Sequence, residues 1–226
     1  EKRWIADAAH ELRTPLSILR VHAQNVASAE NDLEREHSLN QLVVGVDRST
    51  RIVSQLLALA RLEHQKEVSK ETVDVLSISR AMIAEILPLA WKKDIEISLD
   101  VNDALNWCCL VEASHVEILL QNLISNAIKF SPNGSTIQIY WKQNLGCIEL
   151  TVVDSGKGVT QGDKQRLSER FFRSGEAEGA GLGLSIVKNI IDKYKGHMSF
   201  QDSRPHGLTV NISLPISMNS SSDQPV

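Results

Sequence analysis

The chain has 226 residues, of which 42% are hydrophobic, 23% charged and 4% aromatic, a mixture that excludes wholesale disorder and fits one large domain or two modest ones. Lys and Arg number 24 against 28 Asp and Glu, a formal net charge of −4, which argues against bulk electrostatic binding to nucleic acid or anionic lipid. The three cysteines, Cys108, Cys109 and Cys147, are an odd number, and neighbours on an extended chain point to opposite sides, so reduced thiols in a reducing compartment are expected.

No apolar run reaches the roughly 18 to 20 residues that a membrane span requires. The opening segment, EKRWIADAAH, lacks a signal-peptide layout, and the chain as written is expected to be soluble.

The first element is an amphipathic helix, with apolar side chains at Ile5, Ala9, Leu12, Leu16, Leu19, Ala23 and Val26 spaced by threes and fours. A polar stretch, SAENDLEREHS, is read as a connection of ten or so residues. A second seam then runs through Leu39, Leu42, Val46, Val53, Leu56 and Ala60, so an antiparallel helical hairpin is expected. Two apolar stripes facing only each other leave surface wet, and a second copy completing a four-helix bundle covers it. A homodimer is therefore expected.

Beyond the polar patch HQKEVSKETVD the texture changes to short β-like runs alternating with helical ones. Strands are expected at Val73 to Leu76, Ile95 to Val101, Thr136 to Trp141, Ile148 to Val153, Met198 to Gln201 and Leu208 to Leu214. Helices are expected at Ile78 to Trp91, Val116 to Phe130 and Leu184 to Tyr194. The fold class is α+β, a helical hairpin followed by an α/β sandwich with helices over one sheet face. The expected boundaries are a hairpin domain at 1–66, a linker at 67–75, an α/β domain at 76–216 and a disordered polar tail at 217–226.

Within the first helix, His10 lies about 140° around from Ile5 and faces solvent. Glu11 follows it, Thr14 stands one turn on along the same side, and Pro15 interrupts the helical pattern where it should kink or loosen the helix. Neutral imidazole is a good nucleophile near neutral pH if a partner holds the proton on its other nitrogen. Glu11 is a candidate for that partner by the reach of its side chain, since adjacent helix positions do not face each other.

The second segment has neither GxxxxGK[ST] nor GxGxxG after a strand. It has three other clusters. In QNLISNAIKFSPNG, Asn122 and Asn126 share a helix face with Lys129 three residues on, and an amide oxygen suits Mg²⁺ while an ammonium suits phosphate. In VVDSGKGV, Asp154 precedes Gly156 and Gly158. That turn lets backbone approach a ligand while the carboxylate accepts from an exocyclic amine such as that of adenine. In GAGLGLSIV, Gly179, Gly181 and Gly183 lead into a helix whose first amides suit phosphate. Between the last two lies RFFRSGEAE, where Arg173 could neutralise a γ-phosphate and the stretch after it could act as a lid. Taken singly, an ordinary Gly-rich turn and helix-end capping by Asn remain open readings.

Taken in order, AAHELRTPL, QNLISNAIKFS, DSGKG, ERFFR and GAGLGLSIV resemble the H, N, G1, F and G2 boxes of the bacterial sensor histidine kinases, most closely those of the QseC-like kind. The resemblance spans roughly residues 1 to 216. It implies a dimerisation and phosphotransfer hairpin followed by a Bergerat-type ATP-binding domain. His10 matches the phosphorylated histidine, Glu11 its acidic neighbour, and Thr14 the residue that helps position water for dephosphorylating the partner. Asn126 matches the Mg²⁺ ligand and Asn122 its companion; Lys129 and Arg173 match phosphate-contacting cations. Phe130 and Phe172 stand where Tyr is common around the nucleotide. Asp154 matches the adenine-reading carboxylate, with Gly156 and Gly158 beside it, and Gly179, Gly181, Leu182, Gly183 and Leu184 match the phosphate-side segment. Lys157, where a small or apolar residue is common, and a short lid between Arg173 and Gly179 depart from the pattern.

The implied activity is ATP- and Mg²⁺-dependent autophosphorylation of His10, then transfer to an aspartate on a response regulator receiver domain. A Bergerat-fold ATPase and a non-catalytic docking module are the alternatives. The resemblance also implies membrane and sensing segments ahead of His10 that this sequence does not contain, so that the chain is the cytoplasmic part of an inner-membrane sensor. A nucleic acid partner is not expected, and zinc is improbable because the seven His and three Cys show no ligand spacing.

Overall fold

A computed structural model describes residues 2–64, 71–102, 107–144, 146–175 and 179–215, with side chains from residue 8 onward. The chain divides into two compact units, one comprising Glu1–His64 with Phe171–Leu182 and the other Gln65–Arg170 with Gly183–Val226. The expected tail, 217–226, and most of the expected linker lie outside the described residues.

The hairpin consists of α1 (Lys2–Ser28) and α2 (Asp32–His64). The connection between them is only residues 29–31, much shorter than the polar composition suggested. The physical reason is a capping box. The Asn31 side chain accepts from the Glu34 amide at 2.9 Å, while Glu34 reaches back to the Asn31 side-chain amide at 2.9 Å and the Glu30 backbone amide at 3.3 Å. Asp32 and Glu34 also place negative charge at the helix start. Polarity in LEREHS therefore marks a wet helical face rather than a loop.

Ile52, Leu56, Leu59 and Leu62 of α2 are buried, as are Ala8 and Pro15 of α1. Gly45 allows the helices to approach closely, since a Cβ there would stand 2.7 Å from Leu19 Cδ2. Part of the apolar pattern is open in the single chain: Leu16 is 56% exposed, Val46 48%, Leu39 45% and Val53 42%, while Leu12, Leu19, Val26, Leu42 and Ala60 are half-buried.

The second unit holds a five-stranded mixed sheet in the order β2 (Glu96–Val101), β4 (Thr136–Asn144), β5 (Cys147–Val153), β7 (Leu208–Pro215), β6 (His197–Asp202). The β2 and β4 pair is parallel and the others antiparallel. Alternate residues point inward. Ile137, Ile139 and Trp141 of β4, Ile148, Leu150 and Val152 of β5, and Val210, Ile212 and Leu214 of β7 are all buried. The register brings Ile139 opposite Val152 and Leu150 opposite Ile212, so these side chains form one apolar layer.

That layer packs under α3 (Val75–Trp91), α4 (Ala113–Phe130) and α6 (Gly183–Lys193). Val75 and Leu76, expected to end a strand, begin α3 instead, because Asp74 caps it by accepting the Leu76 amide at 2.9 Å. The strand is β1 (Glu71–Asp74), paired antiparallel with β3 (Cys108–Val111), a strand not anticipated. A single turn, α5 (Gln161–Lys164), was also unanticipated; Thr160 caps it by accepting the Asp163 amide at 3.2 Å. A polar link lies in the core, where Trp141 Nε1 donates to Ser79 Oγ at 2.8 Å and Ser79 donates to the Val75 carbonyl at 2.7 Å. Both side chains are buried with their polar atoms satisfied.

Candidate functional site

In the first unit His10 is exposed on α1, Thr14 is exposed and Glu11 is half-buried. The helix runs through Pro15 without interruption, and Pro15 is buried. No hydrogen bond joins Glu11 to His10 among the described residues, as expected for consecutive residues that diverge by about 100° on a helix. The imidazole is open to a reactant but is not oriented by Glu11 in this conformation.

The segment Phe171–Leu182 belongs to the same unit. Its ends are pinched together by the Phe171 amide, which donates to the Gly181 carbonyl at 3.0 Å. Gly181 has φ +68°, and a Cβ there would lie 2.6 Å from the Phe172 carbonyl oxygen. Only glycine fits. Gly179 also has positive φ, at +107°. Phe172 is half-buried, Arg173 exposed and Leu182 buried. The expected nucleotide set is thus divided between the units, with Phe172, Arg173, Gly179, Gly181 and Leu182 in the first and the rest in the second.

Two groupings within the second unit bring sequence-distant residues together. The first joins α4 to the start of α6. Asn122 is buried, and its amide nitrogen donates to the Ile118 carbonyl at 2.7 Å. A Cβ on Gly183 would lie 2.9 Å from Asn122 Oδ1 and 3.3 Å from Asn126 Nδ2. The absence of a side chain at Gly183 therefore lets the first turn of α6, the positive end of that helix, come against the polar face of α4. Asn126 is half-buried, and its side chain makes no hydrogen bond with any described residue. Leu184, which follows Gly183, is half-buried. A free amide next to a helix N-terminus is a donor set suited to a phosphorylated ligand and a hard cation.

The second grouping surrounds Asp154, just after β5. Its Oδ1 accepts the Gly156 amide at 2.8 Å and the Leu208 amide at 3.0 Å, and no described residue bonds to Oδ2. Burial pushes the carboxyl above its ordinary range, against the lowering effect of the Leu208 and Gly156 amides. The carboxylate is therefore fixed through one oxygen and presents the other. Gly156 abuts the end of α4, since a Cβ there would lie 3.0 Å from both the Phe130 carbonyl and Asp154 Oδ1. Gly158 has φ +74° and faces Gly207. Phe130 is 44% exposed, with Lys129 Nζ 4.8 Å from its ring centroid.

Sequence reasoning missed the residues that back this grouping. Gly207, with φ +130°, lies so close to Asp154 that a Cβ would come within 2.0 Å of the Asp154 carbonyl. Ser203 Oγ donates to that carbonyl at 3.0 Å, and His206 Nδ1 lies 3.0 Å from the Gly156 carbonyl. The only signal was an isolated glycine before a strand. No group of His, Cys, Asp and Glu with the makings of a metal site occurs among the described residues.

Comparison with known proteins finds two family matches, one over the hairpin and one over the later part of the chain. The family described as "His Kinase A (phospho-acceptor) domain" matches residues 1–65, and the one described as "Histidine kinase-, DNA gyrase B-, and HSP90-like ATPase" matches residues 111–218. The chain is 34% identical over 221 residues to the swarming motility regulation sensor protein RssA of Serratia marcescens, covering 95% of this chain and 46% of that protein. It is 34% identical over 219 residues to the sensor protein QseC of Salmonella typhimurium, covering 94% and 47%. It thus spans less than half the length of these curated relatives. Among solved structures it is similar to the mycobacterial sensor histidine kinase MprB, at 29% identity and TM-score 0.59, over 65% of this chain and 97% of that one. It also shares the fold of the Acinetobacter baumannii histidine kinase AdeS, at 23% identity and TM-score 0.72, over 92% and 98%.

Proposed function

This chain belongs to the sensor histidine kinases, pairing a phospho-acceptor hairpin with a nucleotide-binding unit, and on that premise we propose that it transfers the γ-phosphoryl group of ATP to His10 and then to an aspartate of a response regulator. The observation that carries the reading is the pairing of an exposed imidazole on one unit with the Asp154 and Gly183 groupings on the other. A fixed carboxylate with one open oxygen reads the amino group of adenine. A glycine-started helix beside Asn122 and Asn126 receives the phosphates.

In the proposed reaction an imidazole nitrogen of His10 attacks the γ-phosphorus. A P–N bond forms, the bond to the bridging oxygen breaks, and ADP leaves with that electron pair. Asn126 would hold Mg²⁺, and Lys129 and Arg173 are proposed to supply positive charge to the phosphates; the ion, when bound, would neutralise phosphate charge. The chain contributes alignment and electrostatics. In the second step a carboxylate oxygen of the regulator takes the phosphoryl group and His10 returns to neutral imidazole. Support for such a partner is that ThkA, which shares this fold at TM-score 0.78 and 20% identity, has been solved in complex with the response regulator protein TrrA. Thr14 is proposed to assist hydrolysis of the phosphorylated partner.

The exposed Leu16, Leu39, Val46 and Val53 support a homodimer built on the hairpin. The hairpin domain is proposed to end at residue 66 and the catalytic domain to run over 76–216. The chain is proposed to act in the cytoplasm, where ATP and a receiver domain would meet it, as part of an inner-membrane sensor. No helix among the described residues is long and apolar enough to cross a membrane.

Incubation with γ-labelled ATP and Mg²⁺ tests the reading. Acid-labile, alkali-stable label on the protein is expected. Free phosphate released by an unlabelled protein would overturn it in favour of a simple ATPase.

A further inference from the structure

The helix that carries Asn122, Asn126, Lys129 and Phe130 ends in a feature that none of its own residues explains. An α-helix leaves its last carbonyls without intrahelical donors. At the end of α4 the Ala127 carbonyl accepts the Ser131 amide at 3.0 Å. The carbonyls of Ile128, Lys129 and Ser131 all converge instead on Lys93 Nζ, at 2.8, 3.0 and 2.9 Å. The three N–H bonds of one ammonium match three acceptors, and its charge sits at the negative end of the helix dipole. The carbonyl left out, that of Phe130, is the one that crowds Gly156 in the Asp154 turn.

The surroundings make this a junction. Ser131 Oγ accepts the Ser155 amide at 3.3 Å, and Ser155 Oγ donates to the Thr136 carbonyl at 2.9 Å. The end of α4 is thus fastened to the turn that presents Asp154. The Lys93 backbone is held independently, its amide donating to the Ala90 carbonyl at 2.9 Å and its carbonyl accepting the Gly134 amide at 3.0 Å. Lys93 is half-buried on the short connection between α3 and β2, so its side chain is a strut between a fixed loop and a helix terminus.

We propose that Lys93 is a positioning residue for nucleotide binding, setting the height of the α4 terminus against the Asp154 turn and thereby the spacing between the base-reading carboxylate and the phosphate-side face of α4. It touches no reacting atom, and its influence passes through backbone. The inference rests on the proposed ATP site.

The test compares the whole chain with Lys93→Met and Lys93→Arg. Readouts are equilibrium binding of a non-hydrolysable ATP analogue with Mg²⁺, KM and kcat for His10 labelling, and the melting temperature without nucleotide. Methionine keeps the length of the stem and the backbone bonds, so the variant folds. The expected result is a Kd and a KM raised roughly tenfold, a kcat within about twofold, and recovery of most of the affinity in the arginine variant. A fall in the active fraction with KM unchanged would assign Lys93 to stability alone and overturn the proposal, as would full affinity in Lys93→Met. Absence of analogue binding by the unaltered chain would overturn the ATP site itself.

Discussion

His115 Nδ1 and the Tyr194 hydroxyl lie 2.7 Å apart, joining the first turn of α4 to the residue that follows α6. The same hydroxyl accepts the Glu112 amide at 2.9 Å, and the other ring nitrogen, Nε2, lies 3.9 Å from Glu112 Oε2. The rings meet edge to face at 5.7 Å. This pair holds one end of the α4 and α6 packing, whose other end brings Gly183 against Asn122 and Asn126.

Protonation of His115 places a charge on a ring buried in this contact. Burial holds the imidazole below its ordinary value, with Glu112 pulling it up and Lys193 pushing it down. The unfolded chain therefore binds this proton more readily, and its contribution to stability is complete above about pH 6.5 and lost as pH falls through the folded value. In an NMR titration the His115 ring should titrate below about 6.5; a midpoint above that would contradict the assignment. Tyr194→Phe should lower stability at pH 7.5 by about 1–2 kcal/mol in urea unfolding.

Asp154→Asn separates binding from stability. Because burial raises the folded carboxyl, the stability linked to its protonation is present below the unfolded value of about 3.9 and lost as pH rises through the folded one. Wherever this half-buried carboxyl is ionised its desolvation is a cost, so the neutral variant should melt no lower than the parent. Its affinity for an adenine nucleotide should fall by about 1–3 kcal/mol, measured calorimetrically. Undiminished affinity would remove Asp154 from the site.

His10→Gln should incorporate no label from γ-labelled ATP and retain the nucleotide Kd within about twofold, since a 0.4 kcal/mol difference is the scale of independent sites. Loss of nucleotide binding would mean that the imidazole and the ATP site are not separate functions of separate units.

Val46 sits on α2, 48% exposed in the single chain. A charge placed there should convert a dimer to monomer in sedimentation equilibrium, because burying an unpaired carboxylate costs several kcal/mol. Val46→Glu that sediments as the parent does would place the dimer surface elsewhere.

The chemistry of the proposed site was legible because each requirement falls within a few residues. Asn122 and Asn126 share a helix face by spacing alone, and Gly156 and Gly158 follow Asp154 directly. The short-range errors also have local causes. Composition marked SAENDLEREHS as a connection, yet the Asn31 and Glu34 capping box starts a helix within it. The four residues of β3 were too few to show a period.

Residue type and local spacing by themselves determined the division into a helical hairpin and an α+β segment, the wet placement of His10, and which side chains suit phosphate, metal and adenine. Only the tertiary structure decided what holds those side chains in place. Lys93 meets carbonyls 35 to 38 residues away, and the Leu208 amide reaches Asp154 across 54. Periodicity is a property of one element and reports which face is buried. The satisfaction of a helix terminus or a buried carboxylate is a property of whichever backbone the sheet's strand order brings alongside, and that order is set by the global packing of the core.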